Sequence, residues 1–103
     1  MMHRIDENDP GINWMASKAL EEHLLSSIEY NSLLGAREQI HNAINVAACV
    51  SRVGTLDGTY VLKITPGSSL GDIASAANSL VNLTGKPVTF RFQETVWRIE
   101  KHD

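Results

Sequence analysis

Three features of the chain predict an α+β fold. Helical periodicity of apolar residues runs through most of its first half, and apolar–polar alternation marks three strands in its second. A helix with its own start and stop signals separates the first two of those strands. The expected architecture is two N-terminal helices followed by β-α-β-β. A small three-stranded mixed sheet would be covered by helices on one face.

Residues 1–8 are polar and expected to be flexible. Asp9-Pro10 offers an N-cap followed by proline at the first helical position, where a missing N–H costs nothing. From Ile12 a ridge at i, i+4 spacing passes through Ala16, Leu20, Leu24 and Ile28, with Leu25 beside it. A second pattern joins Leu33, Ala36, Ile40, Ala43, Ile44, Ala47 and Val50, rich in alanine and so open to close helix approach. The reading is two helices, about 11–30 and 33–51, broken near Asn31-Ser32 and Gly35. One long bent helix is the alternative, and periodicity does not choose between them.

Gly54-Thr55-Leu56-Asp57-Gly58 reads as a turn, because Asp-Gly readily takes positive φ. Tyr60, Leu62 and Ile64 then alternate with Thr59, Val61, Lys63 and Thr65, and Pro66-Gly67 ends the strand. Ser69, with Asp72 three residues on, resembles a capping box for a helix that buries Leu70, Ile73, Ala74, Ala77, Leu80 and Val81. Gly85 suits its C′ position, and Pro87 prevents continuation. Val88, Phe90 and Phe92 form the apolar side of the next strand. A turn near Gln93-Glu94-Thr95 leads to a last strand over residues 96–101 with Trp97 and Ile99 inward. The crossover makes the first two strands parallel and the final hairpin antiparallel. A single domain over residues 1–103 follows, with a helical half at 9–51 and a βαββ half at 55–102.

Composition narrows the functional classes. The chain is 43% hydrophobic and 20% charged, values of a folding globular domain rather than a disordered one. A net charge of −3 argues against general nucleic-acid binding, which rests on neutralising phosphates. The charges are unevenly placed: three cations face seven acids in residues 1–51, and six face five in residues 52–103. Such halves can attract one another between copies. Cys49 is the sole cysteine, so no internal disulfide forms. There is no apolar run of membrane-spanning length and no secretory pattern at Met1-Met2-His3-Arg4, so the expected location is cytoplasmic.

Candidate sites are few. Gly67, Ser68 and Ser69, in the strand-to-helix turn at residues 66–71, could hold an anion on backbone N–H groups. That turn lacks the P-loop lysine and the spaced glycines of a dinucleotide site, and Asp72 would oppose an anion. A plain capped turn is the competing reading. Glu38-x-x-His41 has di-iron ligand spacing, with Glu21, Glu22 and His23 as possible companions, but the motif is common by chance and no metal is expected. His3 and His102 lie at the ends and carry no weight. Cys49 reads as a buried small hydrophobe at a helix end. No Ser/His/Asp arrangement can be argued, so no catalytic residue and no cofactor are expected. The outward face of the sheet presents Lys63, Arg91 and Arg98 among Thr65, Thr89 and Gln93, a contact surface for a carboxylate-rich partner or simply a solvated face. Trp14 and Met15, one turn into the first helix, could dock on a partner or complete the core.

The segments Ser69-Leu70-Gly71-Asp72-Ile73-Ala74 and Gly85-Lys86-Pro87-Val88-Thr89-Phe90-Arg91-Phe92 resemble a pattern in small phage and prophage accessory proteins. In that pattern a short helix ending in Gly-Lys-Pro leads to a two-stranded ribbon. The resemblance covers the C-terminal third, departs at Gln93-Glu94 where Asn-Gly would be typical, and implies a phage or bacterial origin without an activity. The expectation is a non-enzymatic, self-associating interaction protein that binds and inhibits or regulates a bacterial protein. The alternative is a small-ligand or nucleotide-binding module using residues 66–71 and the cationic sheet face. Self-association is expected through the helical stripes, which three short strands could not cover.

Overall fold

A computed structural model describes residues 6–15, 17–26, 33–46 and 49–101. The elements are β1 (Asn13–Met15), α1 (Ser17–Ser26), α2 (Leu33–Val46), β2 (Val50–Leu56), β3 (Thr59–Ile64), α3 (Leu70–Thr84), β4 (Val88–Phe92) and β5 (Thr95–Ile99). The class is α+β as expected, but the sheet has five strands, in the order β1-β2-β3-β4-β5. β3 and β4 are parallel, and every other neighbouring pair is antiparallel.

The second half follows its sequence closely. The Ser69 hydroxyl accepts from the Asp72 N–H at 3.2 Å, and Gly85, at φ 71°, donates its N–H to Val81 at 2.8 Å. Both ends of α3 are thereby closed. Its inner side buries Ile73, Ala76, Ala77, Leu80 and Val81 on the sheet. The β4–β5 turn takes positive φ at Gln93 (50°) and Glu94 (65°) without a glycine, as a two-residue type I′ turn demands.

The first half departs from expectation in two places. Residues 50–56 form β2 and not the end of a helix followed by a turn. Only Asp57-Gly58 turns, at φ 49° and 77°, and it closes a β2–β3 hairpin. β-Branched Val50, Val53 and Thr55 suit a strand better than the helix end expected at Val50 and the turn expected at Thr55. Upstream, Asp9-Pro10 opens a turn instead of a helix. The Asp9 carboxylate accepts from the Gly11 N–H at 2.8 Å and its carbonyl from the Ile12 N–H at 3.0 Å, which spends the side chain on an Asx-type turn. Trp14 and Met15 consequently lie in β1, paired with Gly54 and Val53, not in a helix.

All the apolar helix faces meet on one side of the sheet. Leu20, Leu24, Ile40, Val53, Tyr60, Leu62, Ile73, Leu80, Val88 and Phe90 form one core, with Met15, Phe92 and Ile99 against it. Glu21 of α1 shares a groove with Leu34, Arg37, Glu38 and His41 of α2, so the chain doubles back and does not make one bent helix. Leu20, Leu24 and Ile40 of these stripes are each at most 2% exposed and so are covered inside the chain. α2 packs against both α1 and α3. Ala16, Ile28 and Ala47, the side chains of Ala43 and Ile44, and His3 and His102 lie outside the described residues.

Candidate interaction surface

Among the described residues the other face of the sheet carries no helix, and strand pairing determines which side chains share it. A two-residue turn at Asp57-Gly58 sets Leu56 opposite Thr59, Gly54 opposite Val61 and Arg52 opposite Lys63. A bulge at Ser51, whose hydroxyl donates to the Lys63 carbonyl at 3.1 Å, shifts the register beyond that point. In the parallel pair Val61 faces Thr89, so two residues on Lys63 and Arg91 stand level. Arg52, Lys63 and Arg91 therefore form a cationic row across β2, β3 and β4, spanning about 10 Å at ordinary strand spacing. Arg98 lies opposite Thr89 on β5, on the same face.

Lys63, Arg91 and Arg98 were expected together, and they are. Arg52 falls between the expected helix end at 51 and the expected turn at 54–58 and was not among the expected surface residues, yet counting back from Asp57-Gly58 places it opposite Lys63. Among the described residues Arg52 and Arg91 have no acidic partner, whereas Arg98 pairs with Glu100, and Lys63 Nζ lies 3.5 Å from Glu7. The Glu7 contact arises because the segment ahead of β1 crosses this face. Ile12 and the Trp14 ring flank Gly54, where a Cβ would stand 2.7 Å from Ile12 Cγ2. Under that strap Ile12, Val61 and Thr89 are buried, and an apolar centre sits beside the cations.

Trp14 and Met15 do not act as a pair. Successive residues of a strand face opposite ways, so Trp14 joins the cationic face while Met15 packs on the core. Trp97, expected inward, lies on the helix side but is 43% exposed, because β5 is the last strand. In the strand-to-helix turn Gly67 takes φ 87°. Ser68 donates its hydroxyl to the Thr65 carbonyl at 2.8 Å, and Ser69 caps α3. Both hydroxyls thus have local roles. Cys49 is buried as expected, directly ahead of β2, and burial pushes its thiol up. Glu21, Glu38 and His41 line one open groove, yet among the described residues no three such groups gather closely enough to hold a metal ion. Among the same residues no helix is long and apolar enough to cross a membrane.

No protein-family description, no curated protein and no solved structure matches the chain.

Proposed function

We propose that the chain is a non-enzymatic interaction protein of phage or bacterial origin whose helix-free sheet face binds a carboxylate-rich segment of a bacterial protein. The observation that carries this reading is the row Arg52–Lys63–Arg91, with Arg98 beside it, on a face where Arg52 and Arg91 lack an acidic partner among the described residues. Arginine forks match carboxylates in two-point geometry, and a sheet holds them at fixed spacing. A chain of net charge −3 gathers four cations here against its overall sign. Half-buried Trp14 supplies apolar area beside the charges, as specific interfaces require. The Glu7 carboxylate, 3.5 Å from Lys63 Nζ on this row, supports the reading.

Titration with a fluorescent glutamate-rich peptide tests this reading. Binding should weaken with salt, and by about tenfold or more in Arg91→Glu. Equal binding by wild type and Arg91→Glu would overturn it.

A further inference from the structure

The two edges of the sheet differ. β1 has three residues and follows the Pro10-Gly11 turn, so it offers little backbone for pairing. β5 has five residues in unbroken register with β4, without proline or bulge. The β4–β5 turn determines which backbone groups of β5 point outward. In a two-residue hairpin the flanking pair, here Phe92 and Thr95, exchanges both backbone hydrogen bonds, and such pairs then alternate. Thr95, Trp97 and Ile99 thus spend their N–H and C=O groups on β4. Those of Val96 and Arg98 point away from the sheet.

We propose that β5 pairs with β5 of a second copy about a two-fold axis at Trp97. In antiparallel pairing Val96 would lie opposite Arg98 of the partner subunit and Arg98 opposite Val96 of the partner subunit, using every outward group of those residues. This is the one register that pairs all five strand residues, since a two-residue slide runs into the turn or past the strand end. It also sets the two Trp97 rings side by side as a close, non-hydrogen-bonded pair, where cross-strand aromatics contribute most. That contact would cover the tryptophan surface that the last strand leaves open.

The pairing deepens the proposed function, and this part rests on that reading. Residues opposite one another share a face, so the two helix-free faces become one. Arg98 of the partner subunit falls level with Arg52, Lys63 and Arg91, one strand beyond Val96. The cationic row is then completed by the second copy, and an acidic segment can run across the junction.

Sedimentation of wild type, Val96→Pro and Leu34→Glu tests the pairing. Proline at position 96 removes an outward N–H while leaving the bonds to β4 intact, a substitution that edge strands tolerate. Wild type should sediment at twice the 11.3 kDa chain mass. Val96→Pro should sediment at the chain mass with unchanged far-UV circular dichroism, and Leu34→Glu should remain dimeric. Should Val96→Pro fail to fold, Trp97→Ser supplies the same test and should raise the dimer Kd by about tenfold or more. Wild type at 11.3 kDa up to hundreds of micromolar, or a dimer that survives Val96→Pro and dissociates in Leu34→Glu, would refute the pairing. Monomers that still bind the glutamate-rich peptide would sink the pairing alone, and dimers that ignore it would sink the surface reading alone.

Discussion

Phe90 is 1% exposed and stands between Leu62 and Trp97 in the sheet, so truncating it leaves a void that α3 and its neighbours cannot close. Phe90→Ala should cost about 3–5 kcal/mol, a large share of the roughly 5–15 kcal/mol that holds a domain together. Arg91→Ala, one residue on and facing the other way, should change stability by less than about 0.5 kcal/mol. Urea denaturation of the two variants checks both figures, and equal losses would contradict the strand register. Two buried acids make a further prediction. Burial holds the Tyr60 phenol and the Cys49 thiol above their ordinary values, and Asp72 adds to the shift at Cys49. A raised folded-state pKa contributes stability that is complete below the unfolded value and is lost as pH rises through the folded one. Thermal midpoints should therefore hold to about pH 8.5 and fall above it, with Tyr60→Phe and Cys49→Ala each losing part of the fall. Individual core residues such as Phe90 and Tyr60 were legible from alternation alone. The exposure of Trp97 was not, because alternation identifies a face and says nothing of a strand's place in the sheet.

At the level of elements, legibility followed the number of independent signals. α3 carries a cap, an apolar stripe, a C′ glycine and a following proline, and its ends appear as read, although Ala76 is buried and Leu70 and Ala74, expected inward, are only half-buried. β2 carries a glycine within the strand and borders an alanine-rich helical pattern, so its start reads as a helix end at 51 and its finish as the turn beginning at Gly54. The information that would have separated them was the Asp57-Gly58 hairpin signal, which needs a partner strand on each side. Gly54 has a physical reason to be there. Its missing side chain is the space into which Ile12 and Trp14 pack, with the Asn13 carbonyl 3.1 Å from the would-be Cβ. Gly54→Ala should destabilise by about 1–3 kcal/mol and release β1 and the strap before the core. Hydrogen exchange should then show lost protection at residues 12–15 with protection of β3 and β4 retained. Loss of protection throughout would contradict a strap that opens by itself. The Glu7–Lys63 pair across the same strap is about half exposed on both sides and is worth less than about 1 kcal/mol. Glu7→Gln should strengthen peptide binding by no more than about fivefold.

For the whole molecule, the separation of faces is the organising fact: three helices and the core on one side, a cationic face on the other. That separation cannot be read from the chain with β1 taken as helix and β2 as a helix end and a turn, since two of the five strands are then missing. The expectation that Lys63, Arg91 and Arg98 lie together survived because it rested on β3, β4 and β5 alone. The expectation of a three-stranded sheet did not survive, because residues 13–15 and 50–56 add two strands. Two readings of the surface remain opposed in what they predict: a carboxylate-rich partner on the cationic row, or a small anion at the turn of Gly67, Ser68 and Ser69. Amide chemical-shift mapping during titration with the glutamate-rich peptide separates them directly. The account predicts that the shifts cluster at Arg52, Lys63, Arg91 and Arg98 and vanish in Arg91→Glu. Shifts confined to residues 66–71, or none at a saturating peptide concentration, would contradict it.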